Sequence, residues 1–142
     1  LSEAQVEQTF KHKEKHFASY IGIEITKYSP DLVEAKLTAR EELSNRGGFL
    51  HGGAIMTLAD TLGGVGTTEN LPKGYRTLTT ESKTNFLSAI PVGETARAEC
   101  TPVHRGKTLM VWQTKIFRED GKLAALVTQS QLVIAPKEPK PA

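Results

Sequence analysis

His51-Gly52-Gly53-Ala54-Ile55-Met56-Thr57-Leu58-Ala59-Asp60-Thr61-Leu62-Gly63-Gly64-Val65-Gly66 is the one strongly helical stretch in the interior of this 142-residue chain. Ile55, Leu58, Ala59 and Leu62 recur at helical spacing and give it an apolar side. Gly53, Met56, Thr57, Asp60 and Gly64 form the other side, which is mostly small and open to close approach by a backbone or a ligand. Asp60 stands about 160° from the centre of the apolar stripe.

Outward from this helix the period changes. Upstream, Val33, Ala35, Leu37 and Ala39 alternate with Glu34, Lys36 and Thr38 after a turn at Ser29-Pro30-Asp31, so residues 21–40 read as two antiparallel strands. A Gly-rich loop, Ser44-Asn45-Arg46-Gly47-Gly48, leads into the helix. Before the strands, residues 2–17 carry Val6, Phe10 and Phe17 at near-helical spacing behind Ser2 as N-cap, the pattern of a short amphipathic helix. Downstream of Asn70-Leu71-Pro72-Lys73-Gly74, four long strands are expected at residues 75–88, 94–103, 109–118 and 122–134. Turns separate them at Pro91-Val92-Gly93, Arg105-Gly106-Lys107 and Glu119-Asp120-Gly121.

Two strands, a helix and four strands cannot be a parallel α/β fold, which needs a crossover helix between successive strands. The expectation is an α+β fold: a long central helix packed on one face of a single antiparallel sheet of five or six strands, plus a short N-terminal helix. Such a sheet leaves a face or an edge unpaired, so self-association is expected. One domain is expected over residues 1–142, with a core of about 18–136 and a Pro-, Lys- and Glu-rich tail, 137–142, expected to be disordered.

Composition narrows the function. With 38% hydrophobic residues at this length, one core suffices without disulfides or metal, and Cys100 is the single cysteine. Lys and Arg (18) against Asp and Glu (16) leave +2, scattered and not striped, which argues against nucleic acid. The opening lacks an apolar run for a signal peptide, and no stretch approaches membrane-spanning length. A reducing, cytoplasmic compartment is expected.

The chemistry concentrates at the start of the helix. Gly52 and Gly53 occupy its first turn, where backbone N–H groups lack intrahelical partners and the macrodipole is positive. Without side chains, this turn can receive an anion or a carbonyl oxygen becoming one. The same glycines also suit close packing against a strand. Asp60 tips the balance, because a carboxylate mid-helix is costly if buried without a task. Its bland reading is a solvated position, which loses force because a helix wrapped by a sheet is expected to have little surface to offer unless its small side is open to water.

Asn45 followed by His51-Gly52-Gly53, then Leu58-Ala59-Asp60, and later Asn85-Phe86-Leu87-Ser88-Ala89 before Pro91-Val92-Gly93, resembles the hotdog-fold acyl-CoA thioesterases of the phenylacetate-degradation type, relatives of the 4-hydroxybenzoyl-CoA thioesterases. The likeness covers residues 21–134. It implies a sheet wrapped around the helix, two subunits forming one continuous double sheet, and active sites at their interface. It further implies that Asp60 is nucleophile or general base, that the Gly52 amide polarises the thioester carbonyl, and that Asn45 positions the water or the reacting carboxylate. Thr79 falls near the acid, with Thr80 one register away. Asn45 and Gly52 would come from one subunit and Asp60 and Thr79 from the other.

His51 is a candidate too, although fixing the Asn45 loop by hydrogen bonding outweighs proton transfer as its role. Candidate substrate- and CoA-binding residues are Gly53 from the amide-rich turn, Thr80 and Lys83 from the polar strand, and Arg105 with Lys107, placed to meet coenzyme A phosphates. No metal and no cofactor is expected beyond coenzyme A in the substrate. A homo-oligomer, at least a dimer and expected to be a dimer of dimers, follows from the resemblance. Its rivals are a hydratase or dehydratase on the same fold and a non-catalytic acyl-CoA sensor.

Other signals are set aside. His12 and His16 have metal-ligand spacing but sit among Lys11, Lys13 and Lys15. Gly106-Lys107-Thr108 lacks the first glycine of a phosphate loop and precedes a strand. Cys100 reads as core filler. Gly63-Gly64-Val65-Gly66 is no dinucleotide site and is expected to loosen the end of the helix.

Overall fold

The computed structural model describes residues 16–138. Most of the expected N-terminal helix, with His12, and the end of the tail lie outside the described residues. A short helix α1 (Phe17–Ile21) is followed by β1 (Glu24–Tyr28) and β2 (Val33–Thr38), a 3-10 turn (Glu41–Leu43), the long helix α2 (Gly52–Glu69), and then β3 (Arg76–Phe86), β4 (Thr95–Arg105), β5 (Leu109–Phe117) and β6 (Leu123–Ile134).

The six strands form one antiparallel sheet in the order β1-β2-β4-β5-β6-β3. Helix α2 carries the chain from β2 across the sheet to its far edge, so β3, first in sequence after the helix, pairs only with β6. β4, β5 and β6 then fill the middle as successive hairpins, and β4 closes against β2.

Alternation puts Val33, Ala35 and Leu37 of β2, Ala96, Ala98 and Cys100 of β4, Trp112 and Ile116 of β5, and Ala125 and Val127 of β6 in the core with Ile55, Leu58, Ala59 and Leu62 of α2. Burial of each large side chain among these stabilises the fold by roughly 1.5–3 kcal/mol. Alanines at the helix-facing positions of three strands leave room for a helix to sit low on the sheet.

The expected loosening at Gly63 to Gly66 does not occur: α2 runs unbroken to Glu69 and is capped at Asn70. The glycines act through space. A Cβ at Gly63 would lie 2.2 Å from the Gln129 side chain, and one at Gly66 would lie 2.8 Å from the Trp112 ring. They are the places where the sheet touches the helix backbone.

Candidate active site

The loop before α2 is built by Asn45. Its Oδ1 accepts from the N–H groups of Gly47 (2.9 Å) and Phe49 (3.2 Å), and its own N–H donates to Phe49 O. Gly48, at φ +82°, takes the left-handed conformation this tight loop requires. Leu50 N–H to Ile90 O and His51 N–H to Leu43 O pin the segment to the fold. The Asn45 carbonyl oxygen is thus engaged in its own loop, which leaves the Nδ2 end for any partner.

His51 is the N-cap of α2, and its Nδ1 accepts from Gly53 N–H at 2.8 Å. The ring therefore fixes the helix start, whereas the Asn45 loop, its expected target, is held by Asn45 itself. An accepting Nδ1 places the ring proton on Nε2. This cap also corrects the expectation for Gly53, whose amide is taken. Ala54 and Ile55 N–H groups both reach His51 O, so Gly52 N–H is the first-turn amide without a partner among the described residues. The Phe86 ring lies against Gly52, where a Cβ would come 3.2 Å from it.

Asp60 is exposed: the small side of α2 is open in the single chain, the exception left to the expectation that a sheet-wrapped helix offers little surface. Its carboxylate is held by Thr79 of β3, whose hydroxyl donates to Oδ1 at 2.6 Å. From β6, Gln129 Nε2 makes a long contact, 3.5 Å, to the Asp60 backbone carbonyl. Beside Asp60 opens a cavity of about 700 Å³ that runs between α2 and β3, past Gly64 and Thr77, toward Tyr28 and His16. At that end burial, with Glu69 beside the phenol, pushes the Tyr28 hydroxyl up to about 12, so it stays a neutral donor.

The remaining candidates are scattered. A bulge between Thr79 and Glu81 in the β3–β6 pairing separates Thr79 from Thr80, whose hydroxyl contacts Ser130 O at 3.3 Å. Beyond the bulge Ser82 pairs with buried Gln129, and Lys83 pairs with Thr128, so Lys83 is on the face away from the helix. Arg105 is bound by Asp31 (2.7 Å to Oδ1) and Pro30 O (3.2 Å), beside the Asn70 cap at the far end of α2 from Gly52. Its guanidinium holds the β1–β2 turn. Lys107 is exposed in the β4–β5 turn. Cys100 is buried, and burial pushes its thiol up to about 11, the behaviour of core filler.

Gly52 and Asp60 lie on one helix more than two turns apart, about 12 Å along the axis. Within one chain they cannot touch a common atom. Among the described residues, no group of three or more His, Cys, Asp or Glu is arranged to hold a metal ion, and no helix is long and apolar enough to cross a membrane.

Comparison with known proteins gives the frame for this geometry. The thioesterase superfamily model matches residues 47–125, the span from the Asn45 loop into β6. The proofreading thioesterase EntH of Cronobacter turicensis is 32% identical over 103 residues, 72% of this chain and 74% of that protein. The crystal structure of the Haemophilus influenzae thioesterase HI1161 superposes with a TM-score of 0.87 at 27% identity, covering 95% of this chain and 94% of that one. The Streptococcus mutans protein smu.793, solved with acetyl-CoA bound, shares the fold at a TM-score of 0.75 and 23% identity, over 82% of this chain and 92% of that one. With a hotdog sheet and helix, a match over more than half its length and a relative at this identity, the chain belongs to the thioesterase superfamily and is a thioester hydrolase.

Proposed function

We propose that the chain hydrolyses acyl-CoA thioesters at sites shared between two copies, with Asp60 as nucleophile or general base and the Gly52 amide as oxyanion donor. The observation that carries this reading is the Asp60 carboxylate, steadied by the Thr79 hydroxyl at the edge of a cavity of about 700 Å³. Hydrolysis needs an activated water or a carboxylate nucleophile, and donors aimed at the oxygen on which charge develops. Thioester and water supply all reacting atoms, so the reaction calls for no metal or redox group.

The 12 Å or so between Gly52 and Asp60 along the helix makes a second copy a condition of activity. It would bring its own Gly52 and Asn45 Nδ2 to the Asp60 of the first. β3 supports this: it is an edge strand of 11 residues carrying Leu78 at 62% and Phe86 at 55% exposure, with Leu87 at 57% just beyond its end. A long edge of that kind invites a second sheet. Pairing of two such dimers would complete the dimer of dimers. The acetyl-CoA bound by the Streptococcus mutans protein supports a coenzyme A ester as substrate. The hydratase alternative needs a histidine free to move protons, and the His51 Nδ1 is engaged by Gly53.

The test is thiol release from aryl-, short- and long-chain acyl-CoA by the wild type and by Asp60→Asn. A loss of at least about 10²-fold in the variant is expected. Equal rates would remove Asp60 from the mechanism, and hydration of enoyl-CoA without thiol release would favour the rival.

A further inference from the structure

The two glycines that open α2 each lie under a ring. A Cβ on Gly53 would come 3.0 Å from His51 Nδ1, and one on Gly52 would come 3.2 Å from Cε1 and 3.3 Å from Cζ of Phe86. Carbon atoms in ordinary contact sit about 3.5–4.0 Å apart, so neither position takes a side chain unless its ring moves. The imidazole is there to cap the Gly53 amide. The phenyl has no such bond to account for it.

Its place in the sheet supplies a reason. Opposite the buried β6 residues Gln131, Gln129, Val127 and Ala125, β3 presents Thr79, Ser82, Thr84 and Phe86 in turn. Three hydroxyls are followed by a phenyl. The change comes as β3 passes from Asp60, held by Thr79, to Gly52, which lies against Phe86. Because α2 starts at Gly52, no helix remains to cover the rest of the ring, and Phe86 is more than half exposed although its strand position faces inward.

The two ends of this row have opposite chemical needs. A carboxylate that attacks or activates water works beside polar groups, whereas an amide stabilises a developing oxyanion most where water is kept away, because the attraction grows as the local dielectric falls. We infer that Phe86 is a positioning residue of the oxyanion site: its ring covers the Cβ side of Gly52, keeps water from that amide and narrows the approach of the thioester oxygen. Residue 52 is then glycine for the sake of the ring, since any residue but proline would supply the N–H. The inference rests on the proposed reading of Gly52 as oxyanion donor.

The experiment has two readouts: thiol release from an acyl-CoA ester, and the isotope-edited infrared band of the bound ester carbonyl in Asp60→Asn, which should hold the ester intact. Phe86→Ala should lower kcat about tenfold to a hundredfold, with KM within about twofold of wild type. The bound carbonyl should absorb at lower frequency than the ester in water, and adding Phe86→Ala should move it back toward that value. Gly52→Ala, which keeps the N–H, should slow the wild type by a larger factor than it slows Phe86→Ala. An unchanged kcat, a change in KM alone, an unmoved band or equal factors for Gly52→Ala in the two backgrounds overturns the inference and leaves hydrolysis standing.

The band also separates this inference from the hydrolytic proposal. If no ester releases thiol, but binding lowers the carbonyl frequency and Phe86→Ala reverses it, the inference holds and hydrolysis falls. A carbonyl that binding leaves unshifted, or an ester that does not bind, removes Gly52 as donor and the inference with it. Should Asp60→Asn turn the ester over, the kcat and KM of Phe86→Ala decide. Should Phe86→Ala fail to fold, Phe86→Leu, which keeps apolar bulk but loses the ring edge at Gly52, decides by the same readouts.

Discussion

The Thr79 hydroxyl donates to Asp60 Oδ1 at 2.6 Å, joining the edge strand β3 to the middle of helix α2 through the one acid of the candidate site. A carboxylate free to rotate would sample rotamers that point away from a substrate; this bond selects one. Hydrogen bonds to charged groups contribute about 1.5–3 kcal/mol, and exposure of both residues in the single chain argues for the lower end. Thr79→Val should therefore lower kcat for thiol release about tenfold with little change in KM. Thr79→Ser, which keeps the hydroxyl, should retain most of the rate. A valine variant as fast as wild type would mean that the contact does not position the acid.

If each site takes Gly52 and Asn45 from one copy and Asp60 from the other, two inactive variants should rescue each other. Asn45→Asp keeps an oxygen for the Gly47 and Phe49 amides but removes the Nδ2 donor, so the loop should survive. Mixed after dissociation with Asp60→Asn, it forms heterodimers in which one site carries both defects and the other carries neither. Statistical mixing should restore about a quarter of wild-type thiol release. No recovery from a mixture shown by mass spectrometry to contain heterodimers would place all catalytic groups within one chain.

Cys100 offers a check on the core. Its folded thiol titrates near 11 because burial disfavours the thiolate, against 9.0 for the ordinary value. The folded state holds this proton more tightly than the unfolded one. Its contribution to stability is fully present below about pH 9 and declines as pH rises toward 11. Urea midpoints for wild type and Cys100→Ala should run parallel below pH 9, with the wild type alone losing this increment above it. Ellman's reagent should leave the native thiol unmodified at pH 8 and react at once in denaturant. Rapid labelling of the native protein would contradict the burial.

Where the local pattern carries the physics, the sequence was readable. The switch from period two to helical spacing and back gave the order of elements, because burial on one face imposes that period directly. What depended on contacts across the sheet was not. Strict alternation along β3 would put Lys83 on the side of Thr79, but one extra residue at Thr80 reverses the phase, and nothing in Thr77-Leu78-Thr79-Thr80-Glu81 announces a bulge. His51 as a cap was hidden because Ser, Thr, Asp and Asn are the usual cap residues. Asp60 came out exposed because a sheet wraps only one side of its helix. Gln129 and Gln131 could have been noticed as amides at the inward positions of an alternating strand, in phase with Val127.

Gly66 shows the same limit and supplies a sharp test. By propensity alone, Gly66→Ala in a helix interior should stabilise by up to about 1 kcal/mol. The tertiary contact argues the other way: the new Cβ would meet the Trp112 ring at 2.8 Å, and that ring is fully buried and rigid, with no flexible end to yield. Either α2 lifts off the sheet or the indole leaves its rotamer, and overpacking of this kind costs about 1–3 kcal/mol. We expect a net loss of roughly 1–2 kcal/mol in urea unfolding at unchanged m-value. Gly66→Ala combined with Trp112→Phe, which removes the outer ring atoms that clash, should be less destabilised than the sum of the two single changes. Strict additivity of the pair would mean that the glycine is not there for the tryptophan.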